Sequence, residues 1–430
     1  MKVAFYLENE KIKDVDMTNP DNGNPGIGGT QYMIWIISFY LNKFYSDLEV
    51  VLLANDINNL PKDIKSIKVN DITEAAILSK KMNLDIFIFR VVENKFLYEL
   101  LDKINLKSIA WAHNFSNKNE LKYIEQCKYV KKYVCVGKQQ YNMLIDHQII
   151  NKSDYIYNCI DTKLYEPKIN NEKKNIICYV GAINNAKGFH KVCKIWGEIK
   201  RKSGECELWV IGSGKLYDTN CVMGKYGIAE NSYEKKFIKY IIDKDGNIDK
   251  NIKFLGVQKG KKKIELMKNA KVGIVNPTAK TETFCISAIE FEAMGIPVVT
   301  IEKNGFLDTI KNNETGILVK SDKALVNGIV KLLKDNNLNR TMGEKGVEFV
   351  KTKFNIYTIV KEWYFLIKHI KFNESYDNKK DYTIDYNKIS NKLRIYNKKI
   401  KKIKLFNNMP AIYEYKYYIK DIYTFLRKGV

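Results

Sequence analysis

Thr281-Glu282-Thr283-Phe284-Cys285-Ile286-Ser287-Ala288-Ile289-Glu290-Phe291-Glu292-Ala293-Met294-Gly295-Ile296-Pro297-Val298-Val299 reads as a loop, a helix, a glycine stop and a strand. The spacing predicts a helix over Ser287–Met294. Gly295 ends it and Pro297 blocks its continuation. Pro297–Ile301 then reads as a strand. Glu282 falls in the loop and Glu290 in the first helical turn, where two carboxylates suit hydrogen bonds to vicinal sugar hydroxyls. A purely local role competes for Glu290. Ser287-Ala288-Ile289-Glu290 is also a capping box, with Ser287 as N-cap.

The same alternation runs outward in both directions. Strands are expected at Ile176–Val180, Glu207–Ile211, Ile252–Leu255 and Val272–Val275, with helices at Lys187–Arg201, Lys261–Asn269, Ser321–Asp335 and Tyr357–Ile370. Toward the N-terminus, strands are expected at Lys2–Leu7, Val50–Leu53, Asp85–Phe89, Ser108–Ala112 and Tyr133–Val136. Helices fit Gln31–Tyr45 and Asn119–Lys128. Strands alternating with helices imply βαβ units and parallel sheets. The polar, aperiodic run Tyr165–Lys174 separates two such blocks. We therefore expect an α/β protein with one domain over residues 1–165 and a second over 175–355. A helix over 356–370 and a basic extension over 371–430 follow.

Two glycine-containing loops lie at strand ends. Pro25-Gly26-Ile27-Gly28-Gly29-Thr30 precedes the first helix, where glycine allows close backbone approach and the helix N-terminus attracts anions. Tyr179-Val180-Gly181-Ala182-Ile183-Asn184-Asn185-Ala186-Lys187-Gly188 follows the first strand of the second block. There a lysine beside a helix start can neutralise a diphosphate. Taken singly, each also fits a solvated turn.

Composition narrows the class. With 430 residues, 45% hydrophobic and 28% charged, the chain can bury large cores and is neither collagen-like nor mostly disordered. The longest nearly unbroken apolar stretch, Tyr32–Leu41, is too short to cross a bilayer. The N-terminus lacks the pattern of a signal peptide. The expected location is the cytoplasm, with peripheral attachment to the inner membrane face in view. The eight cysteines form no C-x-x-C pair and the four histidines are scattered, so no metal site and no disulfide framework is expected. The net charge of +23 is uneven. Residues 371–430 hold 15 Lys/Arg against 6 Asp/Glu, while residues 1–170 hold 22 against 21. Such an excess favours anionic partners. Lys128, Lys131, Lys132 and Lys138, and the tail lysines among Ile, Leu, Phe and Tyr, are candidate surfaces for anionic lipid.

The E-x7-E pair with its Ala-Met-x-x-Pro-Val-Val ending resembles the retaining GT-B glycosyltransferases of family 4. Gly28-Gly29-Thr30, Trp111-Ala112-His113-Asn114, Ile156–Asp161 with Tyr165-Glu166-Pro167, Tyr179–Gly188, Trp209–Gly214 and Asn304–Asp308 with Thr315–Val319 are similar to further segments of that family, in the same order. The resemblance extends over residues 1 to about 370. It implies two Rossmann-like domains facing across a cleft, with the last helix crossing back to the first domain. It implies a nucleotide-sugar donor, UDP- or GDP-linked with UDP favoured, and no cofactor or metal. The acceptor would be a glycan or a lipid-linked sugar in surface polysaccharide synthesis. By motif match, Glu290 binds the ribose, and Lys187 and Gly188 meet the diphosphate with the Gly28–Gly29 loop. Gly212 lies by the nucleotide. Glu282, Phe284, Cys285 and Ile286 hold the sugar, and His113 stands near it. Glu282, His113 and Lys187 form the expected catalytic set, with no protein nucleophile assigned.

Four positions depart from the family pattern. Ala182 stands for an arginine, Cys285 for a glycine, Ser287 for a proline and Asp308 for a glutamate. Ala182 keeps open a catalytically weak, sugar-nucleotide-binding partner subunit. The charge alone prompts a nucleic-acid-binding reading, but no recognition motif accompanies it and no nucleic acid is expected.

Overall fold

The computed structural model describes residues 1–167, 174–215, 221–373, 388–415 and 417–419. The first sheet contains β1 (Lys2–Leu7), β2 (Glu49–Ala54), β3 (Lys65–Lys68), β4 (Ile86–Arg90), β5 (Ser108–Ala112), β6 (Val130–Cys135) and β7 (Ser153–Tyr155). Their order is β3-β2-β1-β4-β5-β6-β7, and every pairing is parallel. The second sheet contains β8 (Ile176–Val180), β9 (Glu207–Ile211), β10 (Ile252–Gly256), β11 (Val272–Ile274), β12 (Val298–Ile301) and β13 (Gly316–Val319). Its order is β10-β9-β8-β11-β12-β13, again all parallel. These are two Rossmann-like domains, with helices covering both faces of each sheet. That cover is why the central strands are runs of buried Val, Ile, Leu and Phe rather than alternating patterns.

Strand order places the ligand crevices. In each domain the order reverses between the first strand and its neighbour, at β1/β4 and at β8/β11. Loops leaving the carboxyl ends of strands on either side of such a point diverge, and ligands bind between them. The loops after β8, β9 and β11 open there.

The helix Ile356–Phe372 follows the second domain but packs on the first. It lies against the helix Gly29–Phe44, with Tyr357 stacked on Phe44 at 5.0 Å and Tyr364 on Tyr45 at 3.8 Å. Trp363 is fully buried, 4.5 Å from the Trp111 ring and 6.3 Å from that of Phe5. Removing a side chain of that size from a core costs about 3–5 kcal/mol. The crossing helix is thus part of the first domain's core. Its end is fixed by the ion pair of Lys371 with Asp85 and by Lys107 Nζ donating to the Ile370 carbonyl at 2.9 Å.

Three local readings change. The helix after the Glu282 loop starts at Ile286, with Cys285 at the N-cap and no side-chain cap bond. Ser287 therefore caps nothing, and Glu290 lies past the first turn. The expected capping box is replaced by longer-range partners of Glu290, described below. Strands β3, β7 and β13 and the helix Asn336–Lys353 join the elements read from the sequence. Within the Tyr165–Lys174 linker, residues 168–173 lie outside the described residues. So do residues 374–387, 416 and 420–430 of the basic extension.

Candidate active site in the interdomain cleft

Two adjoining cavities fill the cleft. The first, an open cavity of about 920 Å3, is lined on the second domain by the ends of β8 and β9, Asn276, Glu282, Phe284–Ser287 and Glu290, and on the first by Asn24, Gly26, Ile27 and Gly29. The second, of about 1610 Å3, lies on the side of the first domain and includes Gly28, Arg90, His113 and Asn158. Gly29, Lys187, Glu282, Phe284 and Ile286 line both cavities, so they stand where the two meet.

Glu282 is held from both sides. Its Oε2 accepts from Lys187 Nζ at 2.8 Å and from Asn276 Nδ2 at 2.8 Å. Asn276 itself has φ +28, a left-handed backbone favourable to asparagine, and it leaves the end of β11. Lys187 reaches in from the turn before Gly188, where Asn184 Oδ1 accepts from the Lys187 backbone N–H at 3.0 Å. The second carboxylate, Glu290, is fully buried. It accepts from Tyr165 Oη at 2.9 Å and from Lys263 Nζ at 2.6 Å. A buried carboxylate is tolerated when charge and hydrogen bonds satisfy it. Here one partner comes from the interdomain turn and the other from the helix Gly260–Met267.

The cavity has a third source of positive potential. The helices Gly29–Phe44 and Ile286–Ala293 both start at its wall, and neither has a side-chain cap. Asp71, Asn94, Asn117, Ser321, Asp335 and Asn355 cap other helices with their side chains, while the helices starting at Lys138, Phe189, Gly260, Phe306 and Ile389 also lack such a cap. Uncapped N-termini leave backbone N–H groups and the positive end of the helix dipole available to an anion. Beside these two N-termini stand Lys187 and Lys263, each paired with a carboxylate, Glu282 and Glu290.

The sequence-derived residues distribute unevenly. Gly29, Lys187, Gly212, Glu282, Phe284, Cys285, Ile286 and Glu290 line the first cavity, and Gly28 and His113 the second. Gly188 lines neither. It has φ +73 at the helix N-cap, and an added Cβ there would meet Thr278 Cγ2 at 2.5 Å, so its place is a turn. Ala182 lines the first cavity and adds no charge. Burial pushes the Cys285 thiol well above its usual range, so it is no thiolate nucleophile. His113 is pushed down to about 3, first by burial and then by Arg90, and is neutral at physiological pH. Its ring lies 4.4 Å from that of Trp111. His113 Nε2 and Asn158 Oδ1 are buried with no hydrogen-bond partner among the described residues.

Lys263 and Tyr165 were not singled out from the sequence as site residues. Lys263 stands in the run Lys259-Gly260-Lys261-Lys262-Lys263, where nothing local marks one lysine as inward-facing. Tyr165 stands in the Tyr-Glu-Pro segment, which marks the boundary between the two blocks and not a site residue.

Hydrogen bonds join the two sides of the cleft, among them the Gly260 backbone N–H donating to the Asn24 carbonyl at 2.9 Å. Thr283 Oγ1 donates to the His113 carbonyl at 2.5 Å, and the Gln139 backbone N–H donates to Asp308 Oδ2 at 2.8 Å. Burial raises the Asp308 carboxyl from 3.8 to about 7. The folded protein thus keeps a proton there that the unfolded chain has lost. Its contribution makes stability fall as pH rises from about 4 through 7, and it levels off above. Asp308→Asn should remove this component. Urea midpoints of the two proteins should diverge across that window, and parallel curves would contradict the assignment.

Residues 161–349 match the family model described as glycosyl transferases group 1. Capsular polysaccharide biosynthesis glycosyltransferase CapM of Staphylococcus aureus is 32% identical over 190 residues, 44% of each chain. N-acetyl-alpha-D-glucosaminyl L-malate synthase of Bacillus anthracis is 21% identical over 240 residues, 51% of this chain and 57% of its own. The chain thus spans about half the length of these relatives. Among solved structures, a glycosyltransferase from Rickettsia africae superposes with a TM-score of 0.67 at 16% identity, over 87% of this chain and 99% of its own. Anabaena HepE in complex with UDP gives 0.64 at 12% identity, over 86% of this chain and 100% of its own. The parallel sheets, the cleft between them and these likenesses show the GT-B fold, whose second domain here matches glycosyl transferases group 1.

Proposed function

We propose that the protein transfers a sugar from a nucleotide-sugar donor, a UDP-sugar, to a glycan or lipid-linked acceptor in surface polysaccharide synthesis. The observation that carries this reading is the first cavity. It joins two carboxylates to two lysines and two uncapped helix N-termini at the C-terminal end of a Rossmann-like sheet. A nucleotide sugar offers the matching chemistry, with hydroxyls on two sugars and a diphosphate between them. HepE binds UDP-glucose and CapM acts in capsule synthesis, which supports the choice of donor and of pathway class.

In this reading Glu290 accepts from the ribose hydroxyls while Tyr165 and Lys263 hold it in place. Lys187, Lys263 and the backbone N–H groups at Gly29 and Cys285–Ser287 surround the diphosphate. Glu282 and the Phe284–Ile286 backbone hold the transferred sugar. His113 Nε2 and Asn158 Oδ1 face hydroxyls on the acceptor side. Transfer breaks the bond from the anomeric carbon to the diphosphate oxygen and forms one to an acceptor hydroxyl oxygen on the same face. The acceptor proton leaves with the diphosphate. Negative charge grows on the leaving group, where preorganised cations and N–H groups act most strongly. Lys263 supplies the second cation that Ala182 does not. With these groups around the phosphates, the chain itself, rather than a metal, meets the leaving-group charge.

A panel of UDP-, GDP-, ADP- and CMP-sugars, assayed with and without EDTA, tests the proposal. One donor, UDP-linked, should release its nucleotide equally in both conditions. Release lost in EDTA would return the leaving group to a metal. No turnover and no thermal shift with any nucleotide would end the transferase reading.

A further inference from the structure

The helix Ile389–Ile400 exposes large apolar residues alongside its lysines and buries two asparagines. Its polar residues Asn391 and Asn397 are 2% and 6% exposed, whereas Ile389, Leu393 and Tyr396 are 76%, 53% and 69% exposed. The apolar residues follow at intervals of four and three, so they share one face. The stripe continues past the helix through the exposed Ile403, Leu405 and Phe406. Residues 388–406 also carry eight Lys/Arg and no Asp/Glu.

The orientation is fixed rather than free to roll. Asn397 Nδ2 donates to Asp146 Oδ2 at 2.8 Å, and Lys401 Nζ to the Asp146 carbonyl at 2.9 Å. The Ile412 N–H also donates to Asp146 Oδ2, at 2.7 Å, and Tyr413 Oη donates to the Ser116 carbonyl at 2.5 Å. Asn397 and Lys401 thus pin the segment to the first domain, and Ile389, Leu393 and Tyr396 are left facing outward with the exposed Lys392, Lys398 and Lys399. An exposed, contiguous apolar surface of this kind marks an interaction site.

We propose that residues 388–406 dock the protein on an anionic bilayer, with the helix lying in the plane of the interface. An apolar stripe bordered by lysines matches the layering of such a surface, acyl chains below and negative headgroups at the same level as the lysines. An acid-free basic segment would repel a second copy of itself, so charge selects the anionic surface over a self-dimer. Among the described residues no helix is long and apolar enough to cross a membrane, so the attachment is interfacial. This surface does not depend on the reaction proposed above.

Co-sedimentation of the full chain with vesicles tests it. Vesicles with about one phosphatidylglycerol in four lipids should pellet the protein at low salt, and pure phosphatidylcholine should do so far less. The pair Leu393→Glu with Tyr396→Glu should weaken partitioning by about tenfold or more. The exposed triple Lys398→Gln, Lys399→Gln, Lys402→Gln should weaken it on anionic vesicles by a factor on the order of a hundred, with little change on neutral ones. Unchanged melting temperatures would confirm that the fold is intact. Equal pelleting of all variants, or no pelleting on any vesicle, would overturn the proposal. A wild-type dimer that the Glu pair splits, without vesicle binding, would assign the face to a second copy instead.

Discussion

Lys187→Ala is expected to lower nucleotide release by roughly a hundredfold to a thousandfold, mainly in kcat. Its ammonium stands at the junction of the two cavities and would meet the leaving diphosphate, where charge develops only as the bond breaks. The change has a second effect, on stability. Glu282 would keep Asn276 but lose its cation, and a buried carboxylate stripped of its charge partner is costly. The two effects separate in the double variant Lys187→Met with Glu282→Gln. That protein should regain most of the melting temperature lost by Lys187→Ala and none of the turnover. Turnover within threefold of wild type in Lys187→Ala would remove this lysine from the chemistry.

Gly212→Ala should give the largest loss of stability. Gly212 closes β9 with φ +149, and an added Cβ would stand 1.9 Å from the Gly181 carbonyl oxygen at the end of β8. No side-chain rotation relieves a clash with backbone. The two strand ends must part, and the hydrogen bonds Gly181 N–H to Ile211 O (3.1 Å) and Gly212 N–H to Gly256 O (2.9 Å) go with them. A loss on the order of 3 kcal/mol or more is expected, and a melting temperature lower by roughly 10 °C. Calorimetry on the two proteins checks it. Because Gly181, Ala182, Ile211 and Gly212 line the first cavity, nucleotide affinity should fall in parallel even below the melting range.

How far the sequence carried these conclusions depended on where each element sits. β1, β5, β8 and β9 have the boundaries read from the sequence, because central strands of a parallel sheet are nearly continuous apolar runs. β3 is Lys-Ser-Ile-Lys at a sheet edge, with neither alternation nor a run to betray it. The helix Asn336–Lys353 escaped for a different reason. Its buried face includes Asn339, Gly343 and Gly346, small or polar residues that let it approach the helix Ile286–Ala293 closely. A Cβ at Gly343 would fall 2.5 Å from the Gly295 carbonyl. A helix packed through glycines shows no apolar stripe.

The site divided along the same line. Residues in compact segments, Glu282 to Glu290 and Tyr179 to Lys187, were legible because spacing and glycine placement signal a strand end feeding a helix. Lys263 and Tyr165 reach Glu290 from 27 and 125 positions away, a coincidence made by folding alone. The capping-box reading of Glu290 failed for that reason. A local pattern was satisfied on paper while the carboxylate was engaged over long range.

Isothermal titration of UDP into the wild-type protein and into Glu290→Gln is the most direct test of the proposed nucleotide site. Glu290→Gln keeps the shape of the side chain and removes its charge. A saturable, one-site heat with the wild type that weakens by about tenfold or more in the variant is the predicted result. Equal affinity in both proteins, or no heat of binding in either, would contradict the placement of a nucleotide sugar between Glu290 and Lys187.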